Sequence, residues 1–288
     1  MRKIYRAFLG RGKNRIRIVS EIEEAQSFDP IFIIGCQRSG TSLLRRIVDS
    51  HSRIACPPES HFLLPLLELL KHRRGMIGLD SMGFSRAAVI TRTRKFASGF
   101  FQAYAQAHDK PRWADKTPHY IDCLDLIDEV FAGRPRYIVI YRHGLDVAYS
   151  MATVLGGTMR EIKNVPTYSG KKDHHCIAAA YWREQNKKII AFKEGNRQRC
   201  HEITYEGLVA DPETVLRGVF AFLGEAYEDS VLKFNDKLHD DGLEDGKVIE
   251  RRDFFPSIGN YRHWSPSWRN EALREAEPIL SSLGYKVD

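Results

Sequence analysis

Three observations predict a three-layer α/β fold, a central parallel sheet flanked by helices. Short, continuously apolar runs occur at Ile31–Gly35 and Tyr137–Tyr141, and Cys200–Thr204 (CHEIT) reads as a third, more polar strand. Runs apolar at every position suit strands buried on both faces, as parallel strands are. Each run is followed by a helical pattern, the alternation of a sheet with crossover helices. No internal repeat, low-complexity tract or long Pro/Gly/Ser linker interrupts this order, so residues 30–288 read as one domain behind a basic arm at 1–29. In such folds ligands bind at the carboxyl ends of the strands.

Taken in order, Ile31–Gly35 (IFIIG) enters a turn, and Leu43–Ser50 then places Leu43, Leu44, Ile47 and Val48 on one helical face. Arg53–Cys56 reads as a short strand before Pro57-Pro58, with a helix expected from about Ser60 through Lys71. Leu79–Gln106 is helical in pattern. A short RWAD run ending at Asp115 would put Lys116 at a strand end. Tyr137–Tyr141 (YIVIY) precedes a helix to about Ala152. The polar stretch Thr158–His175, with its Gly, Pro and Lys-Lys, reads as a mobile loop. On the following helix, Ile177–Phe192, Trp182 is expected in the core and Arg183 at the surface. Cys200–Thr204 is followed by a helix over Asp211–Leu223, with Pro212 in its first turn.

The chain carries 44 Lys+Arg against 37 Asp+Glu, a formal net charge of +7. Such a balance invites a nucleic-acid partner, but its distribution argues against one. Residues 1–20 hold seven basic side chains (Arg2, Lys3, Arg6, Arg11, Lys13, Arg15, Arg17) and no acid, and without these seven the chain is formally neutral. The excess belongs to an arm that could touch a membrane weakly. Five scattered cysteines without a CxxC pair or Cys/His metal spacing indicate reduced thiols. No apolar run reaches the length of a membrane span, and the basic start lacks the apolar stretch of a signal peptide. A cytoplasmic location, peripheral to a membrane at most, is the expectation.

The first strand runs into Gly35-Cys36-Gln37-Arg38-Ser39-Gly40-Thr41-Ser42 and then a helix, a context in which backbone amides and a helix N-terminus hold an anion. A loop for nucleoside triphosphates has the form GxxxxGK[ST]. Here Thr41 stands in the lysine position, and Arg38 supplies the positive charge. At the end of YIVIY the chain places Arg142 rather than a magnesium-binding aspartate. Ser150, eight residues on, could donate to the same anion. The two places together suggest a nucleotide with two separated phosphate groups.

At these residues the sequence resembles the sulfotransferases that use 3′-phosphoadenosine-5′-phosphosulfate (PAPS). Arg38-Ser39-Gly40-Thr41-Ser42 is similar to that family's 5′-phosphosulfate loop, and Arg142 with Ser150 to its 3′-phosphate motif, spacing included. Tyr205-Glu206-Gly207-Leu208-Val209-Ala210-Asp211-Pro212 and Phe222-Leu223-Gly224 resemble its YE-x-L-x-x-x-P…FLG segment. Ile258-Gly259-Asn260-Tyr261-Arg262-His263-Trp264 is a less regular C-terminal counterpart. The stretch RSGTSLLRRIVDSHSRIACPPESHF looks most like protein-tyrosine sulfotransferases and their bacterial relatives.

The resemblance implies a P-loop-like sulfotransferase fold and transfer of a sulfuryl group from PAPS to a hydroxyl acceptor, leaving adenosine 3′,5′-bisphosphate (PAP), with no metal needed for the transfer. It implies Arg38, Ser39, Gly40, Thr41 and Ser42 at the 5′-phosphate, Arg142 and Ser150 at the 3′-phosphate, and Tyr205 and Arg262 against the cofactor. It makes Glu59 the candidate general base and Lys116, similar to the lysine of an NKxP-type motif, the cation at the sulfuryl group, with Arg38 taking up charge beside it. His61 stands where tyrosine-sulfating relatives carry an arginine, and is the alternative base. His61 and His119 are the candidate acceptor contacts, and Asp115 flanks the same place. Peptide tyrosine, a sugar hydroxyl and a small phenol all fit as acceptors. Two other readings are weighed: an atypical P-loop kinase, and a non-catalytic module binding membrane or nucleic acid through the basic arm.

Overall fold

The structure, a computed structural model, describes residues 28–154, 173–240, 242–243, 254 and 256–286. The basic arm up to residue 27, and the expected loop from Thr158 as far as residue 172, lie outside them; His174 and His175 already belong to a helix.

Five parallel strands form one sheet in the order β2-β3-β1-β4-β5, with β1 Ile31–Ile34, β2 Ile54–Ala55, β3 Arg112–Asp115, β4 Arg136–Tyr141 and β5 Cys200–Thr204. β1 pairs with β4 from Ile31↔Arg136 through Ile34↔Val139, and with β3 at Ile31↔Ala114 and Phe32↔Asp115. Side chains alternate across a strand, and each face of β1 enters a different core. Phe32 and Ile34 pack with Trp113, Tyr120, Phe131 and Tyr137. Ile31 and Ile33 pack with Leu44, Ile47, Leu216 and Phe220. Both faces are covered, which is why the strand reads as an uninterrupted apolar run.

The helices α1 Thr41–Asp49, α2 Leu63–Lys71, α3 Arg73–Ser81, α4 Arg86–Ala107, α5 Leu124–Val130, α6 Gly144–Val154, α7 His174–Glu194, α8 Tyr205–Ala210, α9 Pro212–Leu223 and α10 Pro266–Ser282 surround the sheet. A third core, with the buried Trp182 in it, joins α6, α7 and α10. Arg183 beside it is half-buried and pairs with Glu275 of α10 at 2.6 Å.

Three expectations are adjusted. α2 begins at Leu63 rather than Ser60, because His61 takes a left-handed backbone (φ 50°) that a helix cannot continue through. The Arg53–Cys56 strand contracts to Ile54–Ala55. The Leu79–Gln106 region is the end of α3 and most of α4, broken where Ser85 caps α4 by accepting from the Ala88 amide.

The strand order fixes where ligands meet the chain. β1 is central, with β3 on one side and β4 on the other, so the chain reverses its winding direction beside it. The carboxyl edge there is a topological switch point. Gly35, Lys116, Arg142 and Tyr205 are each the first residue after a strand on that edge.

Candidate active site

The loop between β1 and α1 turns tightly over the strand ends. Ser39 donates its amide to the Cys36 carbonyl at 3.0 Å. Arg38 and Gly40 both have positive φ (68° and 92°). Gly40 has to be glycine for a second reason: a Cβ there would lie 2.6 Å from the Tyr205 ring. Thr41 and Ser42 open α1 with their side chains buried, and the first amides of a helix have no partner within it. The Ser39 hydroxyl is buried and finds no hydrogen-bond partner. An unmet buried hydroxyl in a loop of helix-opening amides fits an anion.

Two arginines flank the loop. Arg38 donates from Nε to the Ser150 hydroxyl at 3.0 Å. Arg142, buried, donates from Nη1 to the Arg38 carbonyl at 2.6 Å and from Nη2 to the Ser257 carbonyl, with its guanidinium 4.5 Å above the Tyr205 ring. Tyr205 closes this wall by accepting from the Ser257 amide at 3.1 Å. The sequence pairs Arg142 with Ser150; the structure links them through Arg38. Asp146 draws the C-terminal segment over them, accepting from the amides of Gly259 and Asn260 at 2.9 and 2.8 Å. Neither Ser257 nor Asp146 belongs to a motif, so sequence reasoning missed both. Arg262 is exposed above the ring of its neighbour Tyr261, which stacks on His143.

On the other side of the loop, Lys116 is completely buried (0% exposed). Its ammonium donates to the Ser42 hydroxyl at 3.2 Å and to Glu59 Oε1 at 2.5 Å. The other carboxylate oxygen, Oε2, lies 3.1 Å from His61 Nε2. Glu59 is 18% and His61 34% exposed, so the row Ser42–Lys116–Glu59–His61 runs from the anion loop toward solvent. His61 faces His119 at 5.6 Å, and His119 Nε2 is 3.3 Å from the Gln37 amide nitrogen. Gln37 is a further side chain at this mouth that no motif singled out.

Asp115 does not point at the mouth. It is fully buried, and Oδ2 accepts from the Ser60 hydroxyl at 2.8 Å and from the Tyr120 hydroxyl. Burial pushes its carboxyl up to about 6, against the opposing pull of Tyr120, Ser60, the Lys116 amide and the Lys116 ammonium. A carboxyl raised in the folded state is penalised above its folded pKa and not below its unfolded one, so its contribution to stability improves as pH falls. The unfolding free energy of the wild type relative to Asp115→Asn is therefore expected to rise by about 1 kcal/mol from about pH 7 to about pH 5. Urea titrations of both proteins at the two pH values measure this, and parallel pH dependences would contradict it.

The fold and this edge define a class, proteins with an anion loop on a parallel sheet and cations held on either side of that loop. The chain belongs to the sulfotransferase family, whose model matches residues 30–229. PAPS is the donor that this family implies. A protein-tyrosine sulfotransferase of Drosophila melanogaster is 24% identical over 270 residues, covering 88% of this chain and 51% of its own. Protein-tyrosine sulfotransferase 2 of Gallus gallus is 25% identical over 268 residues, covering 88% and 69%. The chain thus spans about half the length of the fly relative. Among solved structures, the sulfotransferase domain from the curacin biosynthetic pathway shares the fold, with a TM-score of 0.64 and 24% identity over 92% of this chain and 100% of that one. Among the described residues, no helix is long and apolar enough to cross a membrane.

Proposed function

We propose that residues 30–288 transfer a sulfuryl group from PAPS to an acceptor hydroxyl, with Glu59 as general base. The observation that carries this reading is the buried Lys116 ammonium, shared between Ser42 of the anion loop and Glu59. It supports a fixed cation lying between the donor's phosphate and the group that would take the acceptor's proton.

Bound PAPS supplies an electrophilic sulfur on a phosphate leaving group. The chain's own residues then have distinct tasks. Arg38, Ser39, Thr41, Ser42 and the loop amides hold the 5′-phosphate. Arg142 and Ser150, with Tyr205 as a wall and Arg262 from the C-terminal segment, hold the 3′-phosphate end. Glu59 takes the proton of the acceptor hydroxyl as its oxygen bonds to sulfur and the sulfur–phosphate oxygen bond breaks. Lys116 and Arg38 offset the charge that develops on the sulfuryl and leaving oxygens, a preorganised electrostatic contribution. His61 and His119 contact the acceptor at the mouth.

The tyrosine sulfotransferase names of the relatives favour peptide tyrosine among the acceptors. His61, where those relatives carry arginine, favours a different contact at that point. Calorimetry with PAP and with ATP, each with and without magnesium, tests the donor. PAP is expected to bind without magnesium; binding of ATP alone, and only with magnesium, would overturn the reading. Radiolabelled PAPS offered with a tyrosine peptide, an oligosaccharide and a small phenol then identifies the acceptor class.

A further inference from the structure

We infer that Asp115 is a positioning residue for the reaction, holding the Glu59–His61 corner through Ser60 so that Glu59 stays set between Lys116 and the mouth. The inference rests on the sulfuryl-transfer reading of the site.

Glu59, Ser60 and His61 lie between β2 and α2, outside any helix or strand. No helix or strand ladder fixes such a corner, and the left-handed backbone of His61 is one that persists only where the surroundings impose it. Besides the Lys116–Glu59 ion pair, three attachments hold it. At its start the Glu59 amide donates to the Leu243 carbonyl at 3.0 Å. At its end Phe62 packs against Phe101, ring centroids 5.1 Å apart. In the middle, Ser60 donates its hydroxyl to Asp115 at 2.8 Å, from 55 residues away in sequence.

Asp115 is itself immobilised. It ends β3, paired in register with Phe32 of β1, and it accepts the Tyr120 hydroxyl on the same oxygen. The Ser60 and Tyr120 hydroxyls are 3.1 Å apart, which closes a triangle around that oxygen. Full burial keeps the Asp115 carboxylate away from an acceptor, so its influence on the chemistry passes through Ser60 to the residues on either side. Those neighbours are Glu59 and His61, both of the side chains at issue. The preceding strand residue thus sets the base while the following one, Lys116, meets it.

The bonding pattern makes the inference testable with a conservative variant. Both hydroxyls donate to Oδ2. An asparagine can put its amide oxygen in the place of Oδ2 and keep both bonds; an alanine keeps neither. Asp115→Ala is expected to lower kcat about 10²-fold, the scale of an ångström-sized misplacement of a catalytic group, with PAP affinity and the KM for PAPS unchanged. Asp115→Asn is expected to restore most of kcat. Backbone hydrogen exchange over residues 59–62 should quicken in the alanine variant and not in the asparagine variant.

Three results would overturn the inference: a lowered Tm with kcat unchanged in Asp115→Ala, an asparagine variant as slow as the alanine one, or unchanged exchange in the corner. Should Asp115→Ala fail to fold, Ser60→Ala removes the one bond at issue. Unchanged kcat and exchange in that variant would be equally decisive. If the wild type transfers no sulfuryl group, the proposed function fails on that ground, and the exchange measurement still decides whether Asp115 holds the corner.

Discussion

Glu59→Gln is expected to lower kcat for sulfuryl transfer by about 10²–10⁴-fold, the contribution of a positioned general base. PAP affinity should be unchanged or tighter. An acceptor hydroxyl has to shed its proton as its oxygen bonds to sulfur. Glu59 is the carboxylate that combines partial exposure at the mouth with contact to the cation beside the anion loop. Glutamine keeps the shape and an oxygen for the Lys116 ammonium but cannot accept the proton. Affinity should hold because the anion-holding Ser42 meets Glu59 through Lys116 and not directly, and a lysine freed of its carboxylate partner is more available to a phosphate. Calorimetry with PAP and single-turnover rates with PAPS separate the two effects. Lost PAP binding in a variant that is still folded would assign Glu59 to the nucleotide. Turnover kept within about tenfold would pass the role of base to His61, 3.1 Å away.

What the sequence revealed and what it hid follow from the range of the interactions involved. The apolar runs of β1 and β4 and the Gly-containing loop after β1 are local patterns, and the structure has them within a residue or two of expectation. Arg38, Arg142 and Tyr205 stand out because each sits in a short motif. Their convergence then follows from the parallel sheet. Long-range partners are a different matter. The full burial of Lys116 depends on Ser42 and Glu59, which lie 74 and 57 residues away. The Ser257 carbonyl and the Asp146 carboxylate, which shape the ground around Arg142, carry no local signal at all. The start of α2 is hidden from the sequence for the same reason. Ser60 reads as a helix opener, but its hydroxyl is taken by Asp115, and the left-handed His61 pushes the first helical turn on to Leu63.

Lys116→Met should lower kcat by about 10²–10³-fold, the usual loss when one preorganised charge is removed from a transition state. Its effect on stability should be small, because the desolvation cost of the buried ammonium is removed while the partner left behind, Glu59, is partly exposed at the mouth and 3.1 Å from His61. Glu59→Gln has the opposite balance. It leaves a fully buried ammonium with the Ser42 hydroxyl and an amide oxygen, and is expected to cost up to about 3 kcal/mol of stability besides the rate. The double variant separates the two roles of Glu59. In the Lys116→Met background, Glu59→Gln no longer strands a charge, so its stability cost should largely vanish. The proton still has to be taken, so the rate cost should persist. Denaturant titrations and single-turnover rates on the four proteins complete the cycle. If the rate cost disappeared together with the stability cost, Glu59 would serve only to neutralise Lys116, and the base would have to be sought elsewhere at the mouth.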